Sequence, residues 1–236
     1  MKRILFLFTL LLLITSNVSL GDTILTYYIY WGFFKIGVAR IEIRENFYKA
    51  IAYTVGLGNF FYPYYAEWTT IVDKQGMPVR SEIYSKHAKK ERKKVVSFEK
   101  KSSKVIYQKV LPKIEKPEVV NATYPLYDEL SAFINSFYLD YQKKKVWTFP
   151  LLIKKQRCFV KVMFKKELPC PGTGPGSGRE KCFFLQVNLP QKSELLKRSK
   201  KVEIYLNEKM RYPLLIKGHL PLLGSLKGKI EKVERK

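Results

Sequence analysis

The stretch Tyr27-Tyr-Ile-Tyr-Trp-Gly-Phe-Phe-Lys-Ile-Gly-Val-Ala-Arg-Ile-Glu-Ile43 sets two aromatic and β-branched runs in sequence, with Gly32 and Gly37 between them. Such side chains fit a pleated, half-buried surface, and glycine admits the backbone angles that a reversal needs. The stretch is predicted to form the first hairpin of a large sheet. In its second half Ala39, Ile41 and Ile43 alternate with Arg40, Glu42 and Arg44, the pattern of a strand with one wet face and one face on a core.

The same period recurs downstream. Strands are expected at 24–31, 36–44, 47–55, 66–73, 78–86, 94–100 and 104–110, then at 146–153, 157–167, 181–188, 201–207, 211–217 and 222–232. The aromatic, glycine-punctuated segment 56–65 contains Pro63, which cannot donate to a ladder, and reads as a loop or short helix. The basic run Lys86–Lys94 reads as a connection, and 111–125 as a proline-bearing link. Between the two sets of strands, Leu130, Phe133, Ile134, Phe137, Tyr138 and Tyr141 recur at helical spacing. They predict one amphipathic helix over about 128–142, capped by Asp128, with Lys143, Lys144 and Lys145 at the negative end of its dipole. Thirteen strands and one helix give an all-β dominated fold: a curved antiparallel sheet or partial β-barrel with the helix packed on it.

The amino-terminal end reads differently. Lys2 and Arg3 precede an eleven-residue, largely apolar run from Ile4 to Ile14, followed by small and polar residues through Gly21. At about 1.5 Å per residue this run is too short for a hydrocarbon core of roughly 30 Å, so it reads as a signal peptide over 1–21 and not as a spanning helix. Residues 22–236 are then a single β-rich domain, with no transmembrane segment after cleavage, exported and most simply periplasmic.

The formal charge is +24, and removal of Lys2 and Arg3 leaves 42 basic against 20 acidic side chains, or +22. Such a field attracts polyanions. In an exported protein these are envelope surfaces carrying anionic lipid or polysaccharide, and nucleic acid is not an expected partner. The basic segments 86–94, 197–201 and 227–236 are the candidate contacts, and a solvated lysine surface with no partner is the plainer alternative. Export also permits oxidation of two of the three cysteines. Cys170 and Cys182 flank a glycine-rich loop and are the candidate pair, although spacing leaves the pairings with Cys158, and a reduced chain, open.

Gly172-Thr-Gly-Pro-Gly-Ser-Gly178 lacks the lysine and hydroxyl of a phosphate loop and leads into a strand, so it reads as a loop tip. His87 lies in a basic run and His219 beside Leu220-Pro221, a single His near a serine or cysteine makes no triad without geometry, and no metal-ligand spacing occurs. No catalytic residue, metal or cofactor is predicted. The aromatic residues Tyr28, Tyr30, Phe33, Phe34, Phe60, Tyr64 and Trp68, with Phe133 and Phe137 of the helix, are the candidate ligand-binding set, since ligand sites are largely apolar. Ordinary core packing is the competing explanation for the same residues.

Four segments, Tyr30–Ile41, Val72-Asp-Lys-Gln-Gly-Met-Pro78, Asp128-Glu-Leu-Ser131, and Val202–Ile216 with Gly224-Ser-Leu226, taken together resemble the bacterial exported family of domain of unknown function 3108. The resemblance implies an envelope protein with a curved antiparallel sheet and brings no catalytic residues. The loop from Cys170 to Cys182 is longer and richer in glycine than the family pattern. The expectation is a noncatalytic envelope protein that binds an apolar or amphipathic molecule such as a lipid on its curved sheet. The alternatives are a scaffold or assembly factor on anionic surfaces or protein partners and, less favoured, an envelope hydrolase.

Overall fold

The computed structural model describes residues 22–172, 180–189, 201–220 and 224–235. Strand β1 (Thr23–Trp31) reverses at Gly32, whose φ of 59° most residues avoid, into β2 (Phe34–Ile43). The chain continues through β3 (Phe47–Thr54), the short helix α1 (Leu57–Phe61), β4 (Tyr64–Val72), β5 (Pro78–His87), β6 (Lys90–Glu99), β7 (Lys104–Leu111) and β8 (Glu118–Asn121). Helix α2 (Glu129–Asn135) separates this meander from a second one. The second comprises β9 (Val146–Ile153), β10 (Gln156–Pro169), β11 (Lys181–Asn188), β12 (Lys201–Asn207), β13 (Pro213–Leu220) and β14 (Gly224–Arg235). The leader predicted over 1–21 and most of the glycine-rich loop tip lie outside the described residues.

All neighbours pair antiparallel in one 14-stranded sheet, which runs from β8 back to β1, crosses to β14, and then runs down to β9. Pairing of the first strand with the last is what joins the two meanders. The free edges, β8 and β9, approach one another without pairing. Tyr127 bridges to β9, its N–H donating to the Pro150 carbonyl and its carbonyl accepting from the Leu152 N–H, both at 2.9 Å. Lys155, in the β9–β10 turn, pairs with Glu118 of β8 at 2.5 Å. Pro150 is tolerated because β9 is an edge. The predicted curved sheet or partial barrel is the fold observed.

Register explains which face is filled. One row across the concave face reads Ile43, Tyr48, Thr70, Ser81, Val96 and Tyr107, and the next reads Leu25, Ile41, Ala50, Trp68, Ile83 and Lys94. These two rows receive α2. Leu130, Ile134, Phe137 and Tyr141 are each no more than 1% exposed and pack with Leu25, Trp68, Phe149, Phe183 and Leu206 in the main core. A second cluster, Val96, Phe98, Val105 and Leu126, seals the gap between the sheet edges together with Leu152.

Three expectations are corrected. The helix is shorter than 128–142: α2 ends at Asn135, a 3₁₀ turn covers Ser136–Tyr138, and Leu139 is extended. The Asn135 amide turns away to donate to the Gly76 carbonyl at 2.8 Å, and Arg211 donates to the Leu139 carbonyl, so local contacts replace a further helical turn. Lys143, Lys144 and Lys145 therefore lie beyond the helix, in a turn where Asp140 accepts from the N–H groups of Gln142 and Lys143. Secondly, Lys86–Lys94 is no connection. Strands β5 and β6 run through it and turn at Ala88-Lys89, with Lys86 and Glu91 paired across the ladder at 2.7 Å. Lysine stems leave the sheet and keep their charge in water, so a basic run is compatible with a strand end. Thirdly, the proline-bearing link contains β8, four residues too short for any period to register, which exists by pairing with β7.

Three phenols are held neutral. Burial pushes the Tyr27 hydroxyl, which donates to the Pro213 carbonyl at 2.9 Å, well above its usual value. Burial also raises Tyr141, and lifts Tyr48 to about 12 with help from the nearby Asp128 charge. A folded-state pKa above the unfolded one gives stability that is complete below about pH 10 and lost as pH rises through the raised values. A near-ultraviolet titration is expected to show these three phenols ionising late, above the ordinary tyrosine range. The buried phenols should ionise only from about pH 12 upward, together with loss of the far-ultraviolet β signal.

Candidate functional site

The concave face changes character along its length. Above the two filled rows, toward the end where β1 turns into β2, the next row reads Tyr27, Ala39, Ala52, Ala66, Ser85 and Arg92, followed by Ile29, Gly37 and Thr54. Apart from buried Tyr27 and Gly37 and exposed Arg92, these positions are half-buried, although most are small. A wall of alanine, serine and glycine beside filled rows of tyrosine, tryptophan and isoleucine puts less side-chain volume on the concave face at that end. At the other end α2 closes the sheet like a stopper.

Asp128 fixes the stopper. Its Oδ1 accepts from the Ser131 N–H at 2.6 Å, capping α2. Its Oδ2 accepts from Trp68 Nε1 at 3.3 Å, from Thr70 Oγ1 at 2.5 Å and from Ser81 Oγ. One buried carboxylate thus ties the helix start to β4 and β5. Only the capping role was visible in the sequence; the available signal for the rest was Thr70 and Ser81 standing in the inward phase of their strands. Beside Asp128 lies a cavity of about 20 Å³, lined by Trp68, Ser81, Lys94, Tyr107 and Glu129 among others. It has room for about one water. A wider, open groove of about 350 Å³ lies at the stoppered end between Met77, Lys100, Tyr124, Pro125 and Tyr127.

The nine aromatic candidates do not share one pocket. Trp68 and Phe137 are buried with half-buried Phe133 at the stoppered end, where the Phe133 and Phe137 rings meet edge to face at 4.8 Å. Tyr28 and Tyr30 point away from the phase of Tyr27, onto the convex face, where Lys35 lies 3.1 Å above the Tyr28 ring and Lys229 lies 5.3 Å from that of Tyr30. Phe33, Phe34 and Phe60 project into solvent at the open end, Phe33 with 99% of its surface exposed. Tyr64 is half-buried at the start of β4, near Tyr62. Alternation along each strand, invisible to a count of aromatics, separates them.

His87 stacks on the Tyr62 ring at 4.0 Å, while the side chain of His219 lies outside the described residues. Among the described residues no three His, Cys, Asp or Glu side chains converge as a metal site, and no helix is long and apolar enough to cross a membrane. Cys170 and Cys182 form a disulfide with Cα atoms 4.9 Å apart. Cys158 is a free thiol, half-buried.

Among solved structures the chain is similar to a β-barrel-like protein of the domain of unknown function DUF1849 from Brucella abortus. The TM-score is 0.62 and the identity 12%, over 92% of this chain and 99% of that one. That likeness concerns the fold. A DUF1329 family protein from Desulfovibrio piger superposes far more loosely, with a TM-score of 0.27 at 7% identity over 93% and 88% of the two chains. A putative outer membrane lipoprotein-sorting protein domain from Vibrio parahaemolyticus gives 0.26 at 9% over 92% and 86%. No curated protein matches the sequence. The sequence model described as protein of unknown function DUF3108 matches residues 26–231, and the chain belongs to that family.

Proposed function

We propose that the protein is a noncatalytic, exported envelope protein, periplasmic once its leader is removed, that holds an apolar or amphipathic molecule of lipid type in a trough above α2. The observation that carries this reading is the strip Gly37, Ala39, Ala52, Ala66 and Ser85. On it small side chains occupy the concave face of an otherwise well-filled sheet, and all but Gly37 remain half-exposed. Ligand sites combine a concave apolar wall with a few polar groups, and Ser85 and Arg92 supply those here.

The test is organic extraction and mass spectrometry of protein purified from its native envelope, beside an Ala66→Trp variant that fills the strip. The wild type is expected to carry a lipid-class molecule in near-stoichiometric amount, and the variant to lose most of it. Wild-type protein with nothing bound would overturn the reading. Equal loading of the two proteins would remove the ligand from the trough and point to the groove at Tyr124 and Tyr127.

A further inference from the structure

The open end of the sheet carries a feature independent of whether the trough is occupied. At the β1–β2 tip Trp31, Phe33 and Phe34 stand in solvent, and beside them helix α1 projects Leu57, Phe60 and Phe61, with Phe60 at 79% and Phe61 at 73% exposure. The two elements form one patch because α1 lies flat on β2. The Val55 N–H donates to the Ile36 carbonyl, and a Cβ on Gly58 would overlap that same carbonyl, so only glycine permits the approach. The patch continues through Tyr62, stacked on His87, to the β5–β6 turn, where the Ala88 N–H donates to the Pro63 carbonyl.

Charge around this patch is predominantly positive. The segments that build it, 30–37, 53–66, 85–90 and 224–230, contain Lys35, Lys86, Lys89, Lys90, Lys227 and Lys229 and no Asp or Glu. Strand register brings the last of these segments to the same end, with Lys227 opposite Tyr30 and Leu226 opposite Trp31. Lys86 is engaged by Glu91 of the neighbouring strand. At the stoppered end, by contrast, Asp22, Glu45, Asp73, Asp140 and Glu208 stand among the basic residues. Large exposed apolar patches mark interaction sites. Aromatic tips ringed by lysine suit the boundary between lipid headgroups and acyl chains, where the rings leave water and the ammonium groups meet lipid phosphate. A second copy of this chain would bring two lysine rings face to face, which like-charge repulsion opposes.

We infer that this rim is a docking surface for an anionic lipid bilayer, into which Phe33, Phe60 and Phe61 insert while Lys35, Lys89 and Lys90 contact the headgroups, so that the open end of the sheet faces the membrane.

The test is vesicle co-sedimentation of the mature full-length chain with phosphatidylcholine alone and with equimolar phosphatidylcholine and phosphatidylglycerol. The wild type is expected to bind the anionic vesicles and to be released by salt. The triple change Phe33→Ser, Phe60→Ser, Phe61→Ser is expected to weaken binding on the order of 100-fold. The triple change Lys35→Glu, Lys89→Glu, Lys90→Glu should erase the preference for anionic lipid, again by roughly 100-fold. All six side chains are exposed, so unchanged circular dichroism and melting will establish that the variants fold. Absence of wild-type binding to anionic vesicles, or binding that both variants retain, would overturn the inference. So would sedimentation of the wild type as a dimer that the phenylalanine variant dissolves, since the patch would then cover a second copy. The readout is surface binding, so its failure leaves the extraction result on the trough untouched, and the reverse also holds.

Discussion

Asp128→Ala is expected to lower stability by about 3 to 5 kcal/mol. The change removes the acceptor for the Ser131 N–H that caps α2, strands the Trp68 indole N–H, and leaves the Thr70 and Ser81 hydroxyls only each other at 3.3 Å, all at positions 8% exposed or less. Loss of a cap alone costs about 1 kcal/mol. The larger part comes from buried donors left without partners, each worth roughly 1 to 3 kcal/mol before relaxation. Asp128→Asn should fall between, because the hydroxyls can rotate to accept from the new amide whereas the indole cannot. Urea unfolding checks the ranking. Thr70→Val with Ser81→Ala should cost much less in the Asp128→Ala background than in the wild type, since the carboxylate those hydroxyls bonded is there already gone. Equal costs in both backgrounds would show that Asp128 acts as a cap and nothing more.

Phe137→Ala is the second large effect, expected at about 3 to 5 kcal/mol, with a melting temperature lower by roughly 10 °C. Phe137 is 1% exposed at the point where α2 gives way to the 3₁₀ turn, its ring against Phe133. The same turn is held by the Ser136 hydroxyl donating to the Phe133 carbonyl at 2.6 Å and by the Tyr141 hydroxyl donating to the Ser136 carbonyl at 2.7 Å. Tyr141 in turn packs against Phe183 of β11. A cavity at Phe137 therefore loosens the stopper from both halves of the sheet. Phe137→Leu, which keeps most of the volume, should cost no more than about 1.5 kcal/mol. Hydrogen exchange is expected to rise in 128–142 for the alanine variant and to stay near wild type in β1 and β2. A uniform rise across the sheet would contradict a role confined to the stopper.

What the sequence determined by itself follows from local physics. Period-two alternation in Ala39–Ile43 and Val202–Leu206, turn chemistry at Gly32, and the Asp128 cap three residues before Ser131 are each decided within a few residues of chain, and each was legible. The family resemblance rested on the same local signatures. What only the tertiary structure decided depends on distant partners. Strand β8 exists because β7 is beside it, and the helix stops at Asn135 because Gly76 and Arg211 offer other bonds. The hub at Asp128 gathers Trp68, Thr70 and Ser81 from 47 to 60 residues away. The aromatic set illustrates the division most clearly. Composition counts Tyr28, Phe33, Phe60 and Phe137 alike, but a strand sends neighbouring side chains to opposite faces, and the rolling of the sheet then decides which face is core and which meets the outside. Pairing of β1 with β14, the first strand with the last, makes that decision, and no local stretch of sequence contains it.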